Sequence, residues 1–302
     1  MTDQKKLLII GASGLLGSKL VVQAGRRYSV VGTYNPFVDG KTQWRLDPLD
    51  MGSKDEVDGL FDKVRPDITI LTAAMTNVDA CEKDPTTANR VNASGPSLVA
   101  RACKKHGSRL VHVSTDYVFD GAKTRKYAED DVPRPISVYG KSKLAGERAV
   151  LSTLPGAVVA RPAVLYGWSP LENKDNFVTW VLKKLRAGEK ATMFKDQRIS
   201  PTLADDLASA LLELAERDVS GIWHVSGPDC LDRVECGKMI ARAFGLDEGL
   251  IVPVLSSSVS LPARRPAYSC LNVTKVEKLL GRRMVSFEDG LKTMKGQEER
   301  GR

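Results

Sequence analysis

Short apolar runs alternate with longer helical stretches through the first half of the chain. Residues 6–10, 28–33, 68–71, 109–114 and 157–160 read as buried strands, each too short for a buried helix. Residues 14–24, 54–64, 95–106 and 138–154 carry helical spacing between them. Strand and helix in strict alternation predict parallel βαβ units with right-handed crossovers. The expected fold class is α/β, a doubly wound parallel (Rossmann) sheet with a smaller C-terminal substrate-binding region.

After Arg161-Pro162 the rhythm changes. Pro-, Gly- and polar-rich loops precede a helix at 176–187. Helix 203–217 and strand 221–225 are expected to return to the main sheet. Further helices are expected at 233–244 and 272–281, the latter stopped by Gly281. Ser286-Phe-Glu-Asp289 has capping-box spacing, with Asp in place of Glu, and opens a last helix. From Gly296 the chain is polar and expected to fray. Residues 1–163, with 203–226, are thus expected to form an NAD(P)-binding domain. Residues 164–302 form an interleaved substrate-binding region.

At 302 residues, 42% hydrophobic and 27% charged, the composition is that of a globular protein. No apolar run approaches the length of about 20 residues that spans a bilayer, so no membrane role is expected. The net charge is +8, but Lys and Arg are spread along the chain without a basic stripe, so nucleic acid is not an expected partner. Cys81, Cys103, Cys230, Cys236 and Cys270 show no C-x-x-C spacing. Reduced thiols are expected, with no metal site and no disulfide framework. The N-terminus runs straight into the first strand without a signal peptide, which points to a cytoplasmic protein.

Three local patterns carry chemistry. Gly11-Ala-Ser-Gly14-Leu-Leu-Gly17 joins the first strand to the first helix. Glycines there let the N–H groups of residues such as Ser13, Leu15 and Leu16 approach a pyrophosphate, beside the positive end of the helix dipole. The spacing is G-x-x-G-x-x-G, not the usual dinucleotide fingerprint. Val111-His-Val-Ser-Thr-Asp116 reads as a strand ending in hydroxyls and a carboxylate, at the edge where such sheets bind ligands. Tyr139 and Lys143 stand one helical turn apart. A lysine cation beside a phenol favours the phenolate, and so predicts a lowered pKa for Tyr139.

Together these residues resemble the extended short-chain dehydrogenase/reductase family. The match narrows through Ser114–Gly121, Tyr127-x-Glu-Asp-Asp131, Pro135–Glu147, Asp196-Gln-x-x-Ser-Pro-Thr202, Asn176-Phe-Val178 and Arg265-Pro-x-x-Ser269. Within that family these stretches resemble the dTDP-4-dehydrorhamnose reductases, from about residue 6 to about residue 293. The regulatory β subunits of methionine adenosyltransferase are similar over the same stretches.

The resemblance implies reduction of a nucleotide-linked 4-keto sugar, with Thr115, Tyr139 and Lys143 catalytic. Asp47 and Pro48 would flank the adenine. Ala73, Ala74 and Thr76 would lie against the ribose and phosphates, and Asn92 would help order the active site. Asp116, Tyr117, Asn176, Arg198 and Arg265 are candidates for the sugar nucleotide. At the end of the second strand Tyr34 and Asn35 replace the acidic residue that selects NAD, and Lys41 or Arg45 can swing in. NADPH is therefore the expected cofactor, with NADH the alternative. One departure concerns the sugar. Arg161-Pro-Ala-Val164-Leu-Tyr-Gly167 has Val164 where the reductases carry a Trp, and the β subunits lack that Trp too. A non-catalytic regulatory subunit binding NADP is the other reading, and either a homodimer or a regulatory partner is compatible with the sequence.

Overall fold

The computed structural model describes residues 4–25, 27–35, 46–169 and 175–301. Its centre is a seven-stranded parallel sheet. The strands are β1 (Lys6–Ile10), β2 (Ser29–Tyr34), β3 (Asp47–Pro48), β4 (Ile68–Leu71), β5 (Arg109–Val113), β6 (Val158–Arg161) and a last strand, Gly221–His224. In space the last strand is at one edge, followed by β6, β5, β4, β1, β2 and β3. The order reverses beside β1, which opens a crevice above its carboxyl end.

The alternation within β1 explains why its sequence is apolar throughout. Leu7 and Ile9 face one core layer and Leu8 and Ile10 the other, and all four are buried. Helices cover both faces, so neither set of side chains meets water. On one side α1 (Leu15–Ala24) packs with α8 (Ala204–Glu216). On the other lie α2 (Lys54–Val64), α5 (Gly95–His106) and α6 (Val138–Thr153). Two short helices, α3 (Val78–Lys83) and α4 (Pro85–Asn89), lead into a π-helical turn, Arg90–Ser94, ahead of α5.

A separate core lies in the second half. It gathers α7 (Phe177–Arg186), α9 (Arg233–Phe244) and α11 (Phe287–Glu299), whereas α10 (Thr274–Leu280) packs into the core of the main sheet, against the Gly221–His224 strand. Short pairs such as Ala191–Phe194 with Ile251–Val254 stitch it together. Gly281 closes α10 at a φ of 69°, as the sequence predicts.

Two expectations are corrected. First, α11 does not fray at Gly296: it continues to Glu299. Arg186 grips Glu298 with two hydrogen bonds, and Gln297 donates to Asp205, so the last turn is anchored from two helices. Second, the cysteines are not all thiols: Cys230 and Cys270 form a disulfide with Cα atoms 5.4 Å apart. Forty residues separate them, and folding alone brings them together. The hydroxyl of Ser200 donates to Asp229 O and accepts from Leu271 N, which clamps the two cysteine-bearing segments side by side. Cys81, Cys103 and Cys236 are free and buried. No described helix is long and apolar enough to cross a membrane.

Candidate active site

The first βα turn needs its glycines for different reasons. Gly11 has a φ of 94°, and a side chain there would strike Ala73 N at 2.7 Å. At Gly17 a Cβ would sit 2.1 Å from Gly11 O, so α1 approaches the turn only without one. A Cβ at Gly14 would meet only an ordinary contact, at 3.5 Å. Gly14 is the N-cap of α1 and brings no capping side chain. The first-turn amides are therefore left without a side-chain cap beside the cleft, and nothing in the packing asks for a glycine at 14. A pyrophosphate lying against the turn supplies the reason, so these residues fit a dinucleotide.

The cleft above this turn has a volume of about 470 Å³ and extends over the carboxyl ends of β1, β4 and β5. Gly11, Ser13, Gly14, Leu15, Leu16 and Gly17 form its floor, with Tyr34 and Asn35 at one end and Ala73, Ala74 and Thr76 along the side. Thr115, Asp116, Tyr117, Tyr139, Lys143, Val164 and Asn176 line the opposite end. The expected cofactor floor and catalytic group thus share one cleft.

The remaining expected site residues, and Asn176 of the cleft wall, have partners of their own. Asp47 and Pro48 form β3, and Asp47 pairs with Lys63; it is Leu49, Asp50 and Met51 that reach the cleft. Asn92, fully buried in the π-helical turn, binds Met75 through both N and O of its amide and donates to Ser142 at 3.1 Å. It staples the β4 loop to α6. Asn176 caps α7 and donates to Gly167 O. Arg198 is exposed, its main chain bonded to Ala267 and Ser269. Arg265 forms a two-pronged pair with Asp79, the second residue of α3. Lys41 and Arg45 lie outside the described residues.

The expected catalytic group is compact. Thr115 donates to Asp116 Oδ1 at 3.0 Å and accepts from Tyr117 N at 3.2 Å. The Tyr117 ring meets Tyr139 edge-on, with centroids 5.6 Å apart. Burial pushes the Tyr139 phenol up, and the neighbouring Thr115 hydroxyl only partly opposes it. The expected lowering by Lys143 is therefore corrected. Lys143 Nζ is turned to Val113 O at 2.7 Å, and burial pushes its own pKa down to about 8. Asp116 is buried, one of its oxygens has no partner among the described residues, and burial lifts its carboxyl to about 6.

Two features gave no signal in the sequence. Arg233 donates to the buried Gln197 at 3.0 Å and is the cation acting on both Asp116 and Tyr117. Val164 holds a φ of 28°, a region costly for a β-branched residue, at the wall of the cleft. Among the described residues no group of three His, Cys, Asp or Glu is placed to hold a metal ion.

The chain matches the family model described as the RmlD substrate binding domain over residues 5–299. The chain belongs to that family. It is 37% identical to the probable low-salt glycan biosynthesis reductase Agl14 of Haloferax volcanii, over 94% of this chain and 95% of that protein. It is 38% identical to the dTDP-4-dehydrorhamnose reductase of Mycobacterium tuberculosis, over 89% of this chain and 85% of that one. Among solved structures it superposes on the Bacillus anthracis dTDP-4-dehydrorhamnose reductase in complex with NADP, with a TM-score of 0.88 at 30% identity. That match covers 97% of this chain and 99% of the other.

Proposed function

We propose that the chain is a dTDP-4-dehydrorhamnose reductase: it reduces the C4 ketone of dTDP-4-dehydro-L-rhamnose to the alcohol of dTDP-L-rhamnose with NADPH. The observation that carries this reading is the convergence of Thr115, Tyr139 and Lys143 on the cleft floored by the glycine turn. The names of the relatives supply the substrate class. NADPH supplies the hydride for C4 when bound.

The chain's own residues deliver the proton and hold the geometry. Tyr139 Oη gives its proton to the carbonyl oxygen as charge builds there. The Thr115 hydroxyl, which favours the ionised phenol, stabilises the same oxygen and the phenolate that remains. Lys143 brings positive charge beneath the pair. One ketone, one hydride and one proton give one alcohol. Asp116 and Tyr117 face the sugar end of the cleft, and Asn176 shapes it by fixing the start of α7. In this reading residues 1–163 with 203–226 hold the cofactor and the rest of 164–302 covers the sugar. Arg265 serves the sugar nucleotide only by leaving Asp79, and Arg198 only by reaching in from the surface. The reading carries with it a cytoplasmic reaction, where NADPH and activated sugars are made.

The test is NADPH oxidation at 340 nm with dTDP-4-keto-6-deoxyhexose made in situ from dTDP-glucose by a dehydratase, with and without a 3,5-epimerase. Turnover that depends on the epimerase is the expected result. Turnover without it would move the substrate to the unepimerised sugar. No turnover with NADPH or NADH would refute the reading.

A further inference from the structure

Beneath the cleft lies a second polar layer that the reaction above does not use. Lys143 and Glu147 are one turn apart on α6, and each is 1% exposed. Glu147 takes two hydrogen bonds from Arg161, from Nε at 2.9 Å and Nη2 at 2.6 Å, and a third from the Ser114 hydroxyl. Arg161 belongs to β6, and its guanidinium lies over the Phe119 ring at 5.2 Å.

The register of these contacts is regular. Val113 O accepts from Lys143, and Ser114 donates to Glu147. Two successive residues at the end of β5 thus hold two residues one turn apart on one face of α6. A buried ion pair alone is weak evidence of stabilisation, because desolvation offsets the attraction. Its position, one turn below Lys143, is what calls for a reason.

We propose that Glu147, anchored by Arg161 and Ser114, is a positioning residue: it keeps the Lys143 ammonium charged inside the protein and sets the end of β5 against the catalytic face of α6. The catalytic meaning of this inference rests on the reductase reading.

The surroundings of Lys143 favour Glu147 as the counter-charge. Burial opposes the ammonium and Glu147 acts against it. His112 faces Lys143 from β5 and is held neutral by burial and by Lys143 itself. Tyr139 on α6 and Cys81 on α3 are kept protonated by burial. Asp116 acts on Tyr139. From the other packed elements, Glu82 accepts from Val138 N at the start of α6, and Arg90 is paired with Asp50. The α5 residues Arg101, Lys104 and Lys105 are exposed.

The test follows the Lys143 side chain by NMR in cofactor-free protein labelled with ¹³C-lysine, its signal assigned by loss in Lys143→Arg. In Glu147→Gln the titration midpoint should fall by about one pH unit. The single change orphans the buried Arg161 charge, so Glu147→Gln/Arg161→Gln is made alongside it and should show a smaller fall, because the like charge of Arg161 goes as well. Glu147→Asp keeps the charge and should keep the midpoint near that of the natural protein. The alkaline limb of the pH–rate profile should move with the midpoint. An unchanged midpoint in folded Glu147→Gln, or a midpoint in the double variant no higher than in that single variant, would overturn the inference. Failure of the natural protein to turn over the sugar would instead overturn the reductase reading, and the NMR result would still decide the role of Glu147.

Discussion

Replacing Asp116 by Asn should make the protein more stable at alkaline pH and nearly unchanged in acid. Asp116 is 2% exposed, and its Oδ2 has no partner among the described residues. Burial raises its carboxyl from 3.8 to about 6, against smaller opposing effects of the neighbouring Ser269 and Thr115 hydroxyls. A raised carboxyl pKa means that the folded protein holds this proton more tightly than the unfolded chain. That contribution is fully present below about pH 4 and is lost as pH rises through about 6. Above pH 6 the fold carries a buried carboxylate, at a cost of about 3 kcal/mol for a rise of roughly two units. Asparagine is nearly the same shape, stays neutral and still accepts from Thr115. Urea unfolding at pH 8 should therefore show a gain of about 2–3 kcal/mol for Asp116→Asn, shrinking to about 0.5 kcal/mol at pH 4. Equal stability of the two proteins at pH 8, or a gain that does not change with pH, would refute the reasoning. Turnover should fall in the same variant, since the site gives up a group facing the sugar to gain stability.

Other substitutions probe the remaining parts. Tyr139→Phe should lower kcat by about 10²–10⁴-fold while NADPH affinity, read by fluorescence titration, stays within about twofold. Gly17→Ala places a methyl 2.1 Å from Gly11 O, so it should both lower Tm and abolish tight NADPH binding. Removing the Cys230–Cys270 bridge by Cys230→Ala/Cys270→Ala frees a loop of about forty residues and should cost about 4 kcal/mol by chain entropy. Denaturant unfolding should show that loss, and reductant should produce it in the natural protein but not in the variant.

Much of the site was legible because its parts are local. The turn from Gly11 to Gly17 and the Tyr139–Lys143 pair each lie within seven residues, where spacing alone sets which groups meet. Other contacts were not legible. Glu147 and Arg161, Asp79 and Arg265, and Gln197 and Arg233 meet across 14, 186 and 36 residues. No local pattern marks such pairs, because the packing of separate elements chooses them. The same holds for pKa values. A Tyr and a Lys one turn apart suggested a lowered phenol, but the sign follows burial, and burial is a property of the assembled core.

The sequence by itself determined the alternation of strand and helix, the two-faced apolar strands, the glycine turn and the catalytic spacing on α6. These follow from backbone sterics and side-chain periodicity acting over a few residues. Tertiary structure decided the rest: the strand order that opens a cleft above β1, the Cys230–Cys270 bridge, and the anchoring of α11 through Glu299. Each depends on which distant surfaces bury one another, and free energy gained across such a distance leaves no periodic trace in the chain.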